Sequence, residues 1–135
     1  MHNPFDWSLR PADLNTSTTQ ALPLMSMAEN LMKEATLKAS GRSALTLARG
    51  DELTVVLAVL KAGHELAEHP APAAAAVTCL GGNISFNTGA ERITLEQGEA
   101  VVFTADVLHS VYANEDSVFL IVIGGAEAKH NQGSQ

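Results

Sequence analysis

From Arg42 onward, apolar and polar residues alternate with a period of two. This predicts strands near 43–49, 52–61, 64–69, 76–80, 83–87, 91–95, 100–103, 107–113 and 117–123. Gly50-Asp51, Ala62-Gly63, Pro70 to Pro72, Gly81-Gly82, Thr88-Gly89, Gln97-Gly98, Thr104 to Asp106 and Asn114 to Asp116 punctuate them. Turn signals at a spacing of roughly 8–12 residues are the pattern of a sandwich or barrel. No helical stretch separates these strands, so parallel strand–helix–strand units are not expected. Leu53 to Leu60 and Val118 to Ile123 are apolar at odd and even positions alike. One face of each must line the interior, and the other needs cover from a helix, the N-terminal arm or a second subunit. An intersubunit sheet contact, in a two-fold homodimer, is the expectation.

Before Arg42 the period is that of a helix. Met27, Leu31 and Ala35 recur at i, i+4 and i+8, with Leu24, Ala28 and Met32 beside them. The helix is predicted over 26–39, started by a capping box of Ser26 and Glu29 and stopped by Ser40-Gly41. Residues 1 to about 23 have no period and read as an arm. Its two aromatics, Phe5 and Trp7, suit the covering of an apolar surface. The expected organisation is therefore arm and helix over 1–41, a β domain over 42–125 and a polar tail over 126–135.

Composition narrows the function classes. The 135 residues are 46% hydrophobic and 17% charged, which suits one domain with a real core rather than a disordered acidic chain. Eight Lys and Arg against fifteen Asp and Glu give a net charge of −7, so neither nucleic acid nor an anionic membrane is an expected partner. Cys79 is the only cysteine, which excludes an internal disulfide and multi-cysteine zinc ribbons. The longest apolar runs fall short of the roughly 20 residues of a membrane-spanning helix. The first ten residues lack the basic and apolar regions of a signal peptide, and a cytoplasmic location is the expectation.

Two stretches carry the candidate chemistry. Gly63 leads through five residues to His69, and the stretch runs on to Gly82. Gly98 leads through Val101-Val102-Phe103 to His109. A hairpin with Gly81-Gly82 and Phe86 lies between them. This arrangement resembles the cupin family. The family's first motif is a glycine, five residues, His-x-His, a glutamate three or four residues on, and a glycine after six more. Its second is a glycine, five residues, Pro-x-Gly, two residues, a histidine, three residues and an asparagine. Gly63, His69 and Gly82 fit the first, and Gly98 and His109 fit the second, over a resemblance spanning about 43–123. The resemblance implies an all-β, cupin-like jelly-roll barrel, here with an N-terminal arm and one short helix.

The chain also departs from that pattern. Ala71 stands at the second histidine and Ala75 at the glutamate, while Thr104-Ala105-Asp106 replaces Pro-x-Gly and Ala113 replaces the asparagine. Two of the four metal ligands that the family pattern implies are thus alanine. Catalytic zinc keeps at least three protein ligands, and non-haem iron takes two histidines and a carboxylate. His69 and His109 are the remaining candidates for a weakly bound divalent metal (Zn, Ni, Fe or Mn), with His64 as a third. In a regular strand His64 and His69 point to opposite sides, unless a bulge intervenes. Glu65 shares parity with His69 but lies about 13 Å away at roughly 3.3 Å per residue.

The pocket expected from these residues has His69 and His109 at its polar end and Phe86 and Phe103 in its walls. It suits a small polar or anionic molecule. Two alternatives stay open. One is an enzyme, either a metal-dependent oxygenase or isomerase or a metal-free isomerase with a histidine base. The other is a regulatory interaction protein using the arm and the helix. Cys79 reads as a buried small hydrophobe, Asp106 as a turn residue, and Tyr112 as facing away from the pocket. His2 and His130 carry no assignment.

Overall fold

The computed structural model describes residues 10–125. Phe5, Trp7, His2, His130 and the tail from 126 onward lie outside the described residues. Ten strands and one helix follow in order: β1 Ala12–Asp13, α1 Leu24–Thr36, β2 Arg42–Arg49, β3 Leu53–Leu60, β4 Glu65–Pro70, β5 Ala75–Gly81, β6 Asn83–Thr88, β7 Arg92–Glu96, β8 Ala100–Phe103, β9 Leu108–Ala113 and β10 Ser117–Gly124. The nine strands expected from alternation form within a residue or two of their predicted bounds.

The strands make two sheets. One runs β1-β2-β3-β10-β5-β8 and the other β4-β9-β6-β7. Neighbours in the larger sheet come from distant parts of the chain, as when β10 lies between β3 and β5. Such crossing between two sheets, antiparallel except at the β1–β2 edge, is the double-sheet jelly roll.

Alternation then assigns each strand two roles. Ala58 and Leu60 of β3, Val77 and Cys79 of β5, Ile84 and Phe86 of β6, Val111 and Ala113 of β9 and Phe119 of β10 fill the space between the sheets. Leu57 and Val59 of β3 and Leu47 of β2 point the other way, onto Met27, Ala28, Leu31 and Ala35 of α1. The helix therefore provides the cover that the two-sided apolar strands require. Its apolar stripe is occupied by its own sheet.

Three local expectations need correction. The arm contains a strand: β1 pairs in parallel with β2, Ala12 opposite Ala48. With α1 between them, this is the parallel crossover that the absence of helices among the later strands argued against. The helix starts at Leu24 rather than at Ser26, and no side chain caps it. Pro23 brings a preset φ of −81° and its carbonyl accepts the Met27 N–H, so the first helical bond forms before any capping box can. The helix also ends early, at Thr36, where Leu37 and Lys38 donate to carbonyls three residues back. Among the described residues, no helix is long and apolar enough to cross a membrane.

Candidate ligand site

The site is built where β4 meets β9. Register places Leu66 opposite Val111 and His69 opposite His109. Ala67 and Glu68 thus face the single residue Ser110, which makes a β-bulge in β4. The bulge changes the phase of the strand. Leu66 and His69 are three residues apart, yet both line the same cavity. A regular strand would put them on opposite sides.

The two imidazoles meet edge to face, with ring centroids 4.2 Å apart and planes inclined by 62°. Each ring is held by the carbonyl two residues before it. His69 Nδ1 lies 2.9 Å from the Ala67 oxygen and His109 Nδ1 lies 3.0 Å from the Val107 oxygen. A carbonyl only accepts, so both rings carry their proton on Nδ1 when neutral and offer Nε2 to a ligand. Both carbonyls come from irregular backbone. Ala67 is in the bulge, and Val107 follows Asp106, which sits at φ 71°. The Asp106 N–H donates to the Ala71 carbonyl at 2.8 Å, tying the turn before β9 to the turn after β4.

Burial separates the two histidines. His109 is 6% exposed, whereas His69 is exposed. Phe86 stacks on His109 at 5.1 Å and 15°, and Phe103 meets it at 4.8 Å and 51°. Burial pushes the His109 pKa below the ordinary imidazole value; the bond to the Val107 carbonyl opposes this, and the neighbouring His69 adds to it. At neutral pH, His109 is therefore an uncharged acceptor at Nε2.

The cavity beside these rings has a volume of about 90 Å³. Leu66, Phe103, Phe119 and Ile121 form apolar walls, and His69 and His109 are the titratable groups on them. Alignment of two imidazoles on an apolar wall suits a molecule of few heavy atoms, since an engineered apolar cavity of roughly 150 Å³ holds benzene.

The other candidates fall as follows. Phe103 is on the cavity wall, whereas Phe86 is 1% exposed in the core beside His109 and is absent from the wall. His64 lies five residues from His69, about 16 Å at roughly 3.3 Å per residue. Its ring packs against Gly41 before β2, so it stands outside the cavity. Tyr112 pairs with Glu65 on the outer side of the sheet. Cys79 is fully buried, its thiol pKa raised by that burial, and its Sγ lies 3.4 Å from the Gly81 oxygen. Phe119 lies on the wall as its pattern in the sequence suggests; Leu66 and Ile121 join it there, and of these two inward parity marks Ile121.

The motif glycines have a backbone reason to be glycine. Gly63, Gly82 and Gly98 all take positive φ. A Cβ at Gly82 would also collide with the Asp116 carbonyl and the Ser117 hydroxyl.

The metal that the family pattern implies does not fit the donors present. Ala71 and Ala75 line the cavity where that pattern has its other two ligands. Among the described residues, no group of three His, Cys, Asp or Glu could hold an ion. Two imidazoles would leave most coordination positions to water.

The chain is a small barrel protein of the double-sheet jelly-roll class, with two histidines on one interior wall. Residues 56–124 match the cupin domain, and the chain belongs to the cupin family. A conserved protein of unknown function from Streptococcus pyogenes is similar over 86% of this chain and 96% of its own, at 22% identity and a TM-score of 0.66. A salicylate 1,2-dioxygenase from Pseudoaminobacter salicylatoxidans is similar over 80% of this chain but 35% of its own, at 17% identity and a TM-score of 0.66. KdgF from a Halomonas species is similar over 70% of this chain and 88% of its own, at 17% identity and a TM-score of 0.59. These likenesses concern the fold. No curated protein matches the sequence.

Proposed function

We propose that this cupin binds a small polar or anionic molecule in the barrel, against Nε2 of His69 and His109. The supporting observation is the shared tethering of the two rings. Each gives its Nδ1 to a backbone carbonyl, which leaves Nε2 of both as the nitrogen available to a bound molecule. With His109 uncharged at neutral pH, a hydroxyl donor is the better match, and an anion binds with uptake of a proton. The small cavity volume argues for glycerol-sized ligands or smaller.

Titration with glycerol, glycolate and acetate, followed through the imidazole resonances, tests this. Saturable shifts of the His69 and His109 rings, lost in His109→Phe, support the reading. Unmoved rings with all three probes reject it.

A second reading is metal-free proton transfer with His109 as base. A lowered pKa and a fixed tautomer are what such a base requires. It predicts exchange of a carbon-bound hydrogen of the bound molecule with deuterated solvent, abolished in His109→Phe. The homodimer is also a proposal. Val102 of β8 is 77% exposed on the larger sheet, and light scattering of wild type against Val102→Glu would show whether copies meet there.

A further inference from the structure

The two sheets differ in width, and the consequence lies at β2. Arg42 pairs with Leu60 and Ala44 with Ala58, so both share the inner side of the larger sheet with core residues. Yet Ala44 and Arg42 are exposed, because the narrower sheet stops at β4 and leaves this strand uncovered. The result is a second hollow of about 410 Å³, within the roughly 300–1,000 Å³ range of small-molecule sites. Ala44, Val56, Ala58, Leu66 and Ile121 make its apolar part, and Lys38, Ser40 and Arg42 its polar end. Leu66 and Ile121 also line the imidazole cavity, so the two spaces adjoin there.

Charge distinguishes this hollow. In a chain of net charge −7, two of eight cations converge here, and among the described residues neither Lys38 nor Arg42 forms an ion pair. Among the described residues, no carboxylate lines the hollow; Glu34 bonds to Ser43, its Oε2 accepting that hydroxyl at 3.3 Å. Two cations at the rim of an apolar wall suit a single carboxylate carried on a hydrocarbon body. The Arg42 guanidinium offers a planar fork for it, and the apolar wall takes a hydrocarbon body.

We propose that the hollow under β2 is a second binding site, separate from the imidazole cavity, for an aliphatic monocarboxylate held by Arg42 and Lys38. Octanoate is the probe, with octanamide as its neutral counterpart. Wild-type protein should bind octanoate with saturable shifts at the methyls of Ala44, Val56 and Ala58, and octanamide at least about tenfold more weakly. Arg42→Gln with Lys38→Gln should weaken octanoate by at least about tenfold without changing the melting temperature, since both side chains are exposed. Ala44→Trp should abolish binding with the charges intact, and His109→Phe should leave it unchanged. Equal affinity for octanamide, equal affinity after loss of both cations, shifts centred on His109 instead, or no saturable shift would each overturn the proposal.

Discussion

The two hollows of this barrel share a wall but are made in different ways. The imidazole cavity is cut into the core. Phe86 and Phe103 pack on the His109 ring, and burial lowers the pKa of that imidazole. The hollow under β2 is an overhang, where one sheet outreaches the other and its cations stay in solvent. The first is small, and several residues that define it also belong to the core between the sheets. The second is larger and its polar end can change with little effect on folding. One fold thus offers a site whose chemistry is coupled to stability and another whose chemistry is not.

That contrast can be tested at each end. Phe86→Ala should cost about 3–5 kcal/mol, whereas Arg42→Ala should stay within about 0.5 kcal/mol. Urea denaturation measures both, and comparable losses would erase the distinction. The next effect is the pH dependence of His109. Its folded pKa is lowered, so the unfolded chain binds the proton more readily. The associated stability is present above the ordinary histidine value of about 6.5 and is lost as pH falls from there toward the folded pKa. Denaturation midpoints between neutral and mildly acid pH should decline less in His109→Phe than in wild type. The difference in slope should not exceed about 1.4 kcal/mol per pH unit. A steeper decline in the variant would contradict a buried neutral ring.

The smallest effect belongs to Lys61 and Asp116, 2.9 Å apart and partly exposed, near the β2 end. The Asp116 carboxyl is held below its usual range first by the Ala62 N–H and then by Lys61. Lys61→Met should therefore cost less than about 1 kcal/mol by thermal denaturation, because the backbone bond survives it. A loss approaching that of Phe86→Ala would show that surface charge at this end supports the fold after all.

Most of the scaffold was legible from alternation. In β9, the sequence Leu-His-Ser-Val-Tyr-Ala already assigns His109, Val111 and Ala113 to one side, and the structure buries all three. The stripe of Met27, Leu31 and Ala35 is equally direct. Features that depend on a partner strand were not readable. The two-residue β1 has no period of its own and exists because β2 presents an edge to it. Phe86 and Phe103 both point inward, but parity carries no depth, so the core residue and the wall residue looked alike. The β4 bulge was open as a possibility without a local mark. The overhang at β2 was invisible, because the relative width of two sheets is a property of their packing.

The irregularity in β4 has one more consequence. Removing Ala67 would leave Leu66 and His69 adjacent in alternation and still directed inward, so the ladder would close without a fault. The ring at His69 would then have lost the oxygen that stops it turning. A perfected strand would present a free rotor where the native chain holds an imidazole by its Nδ1.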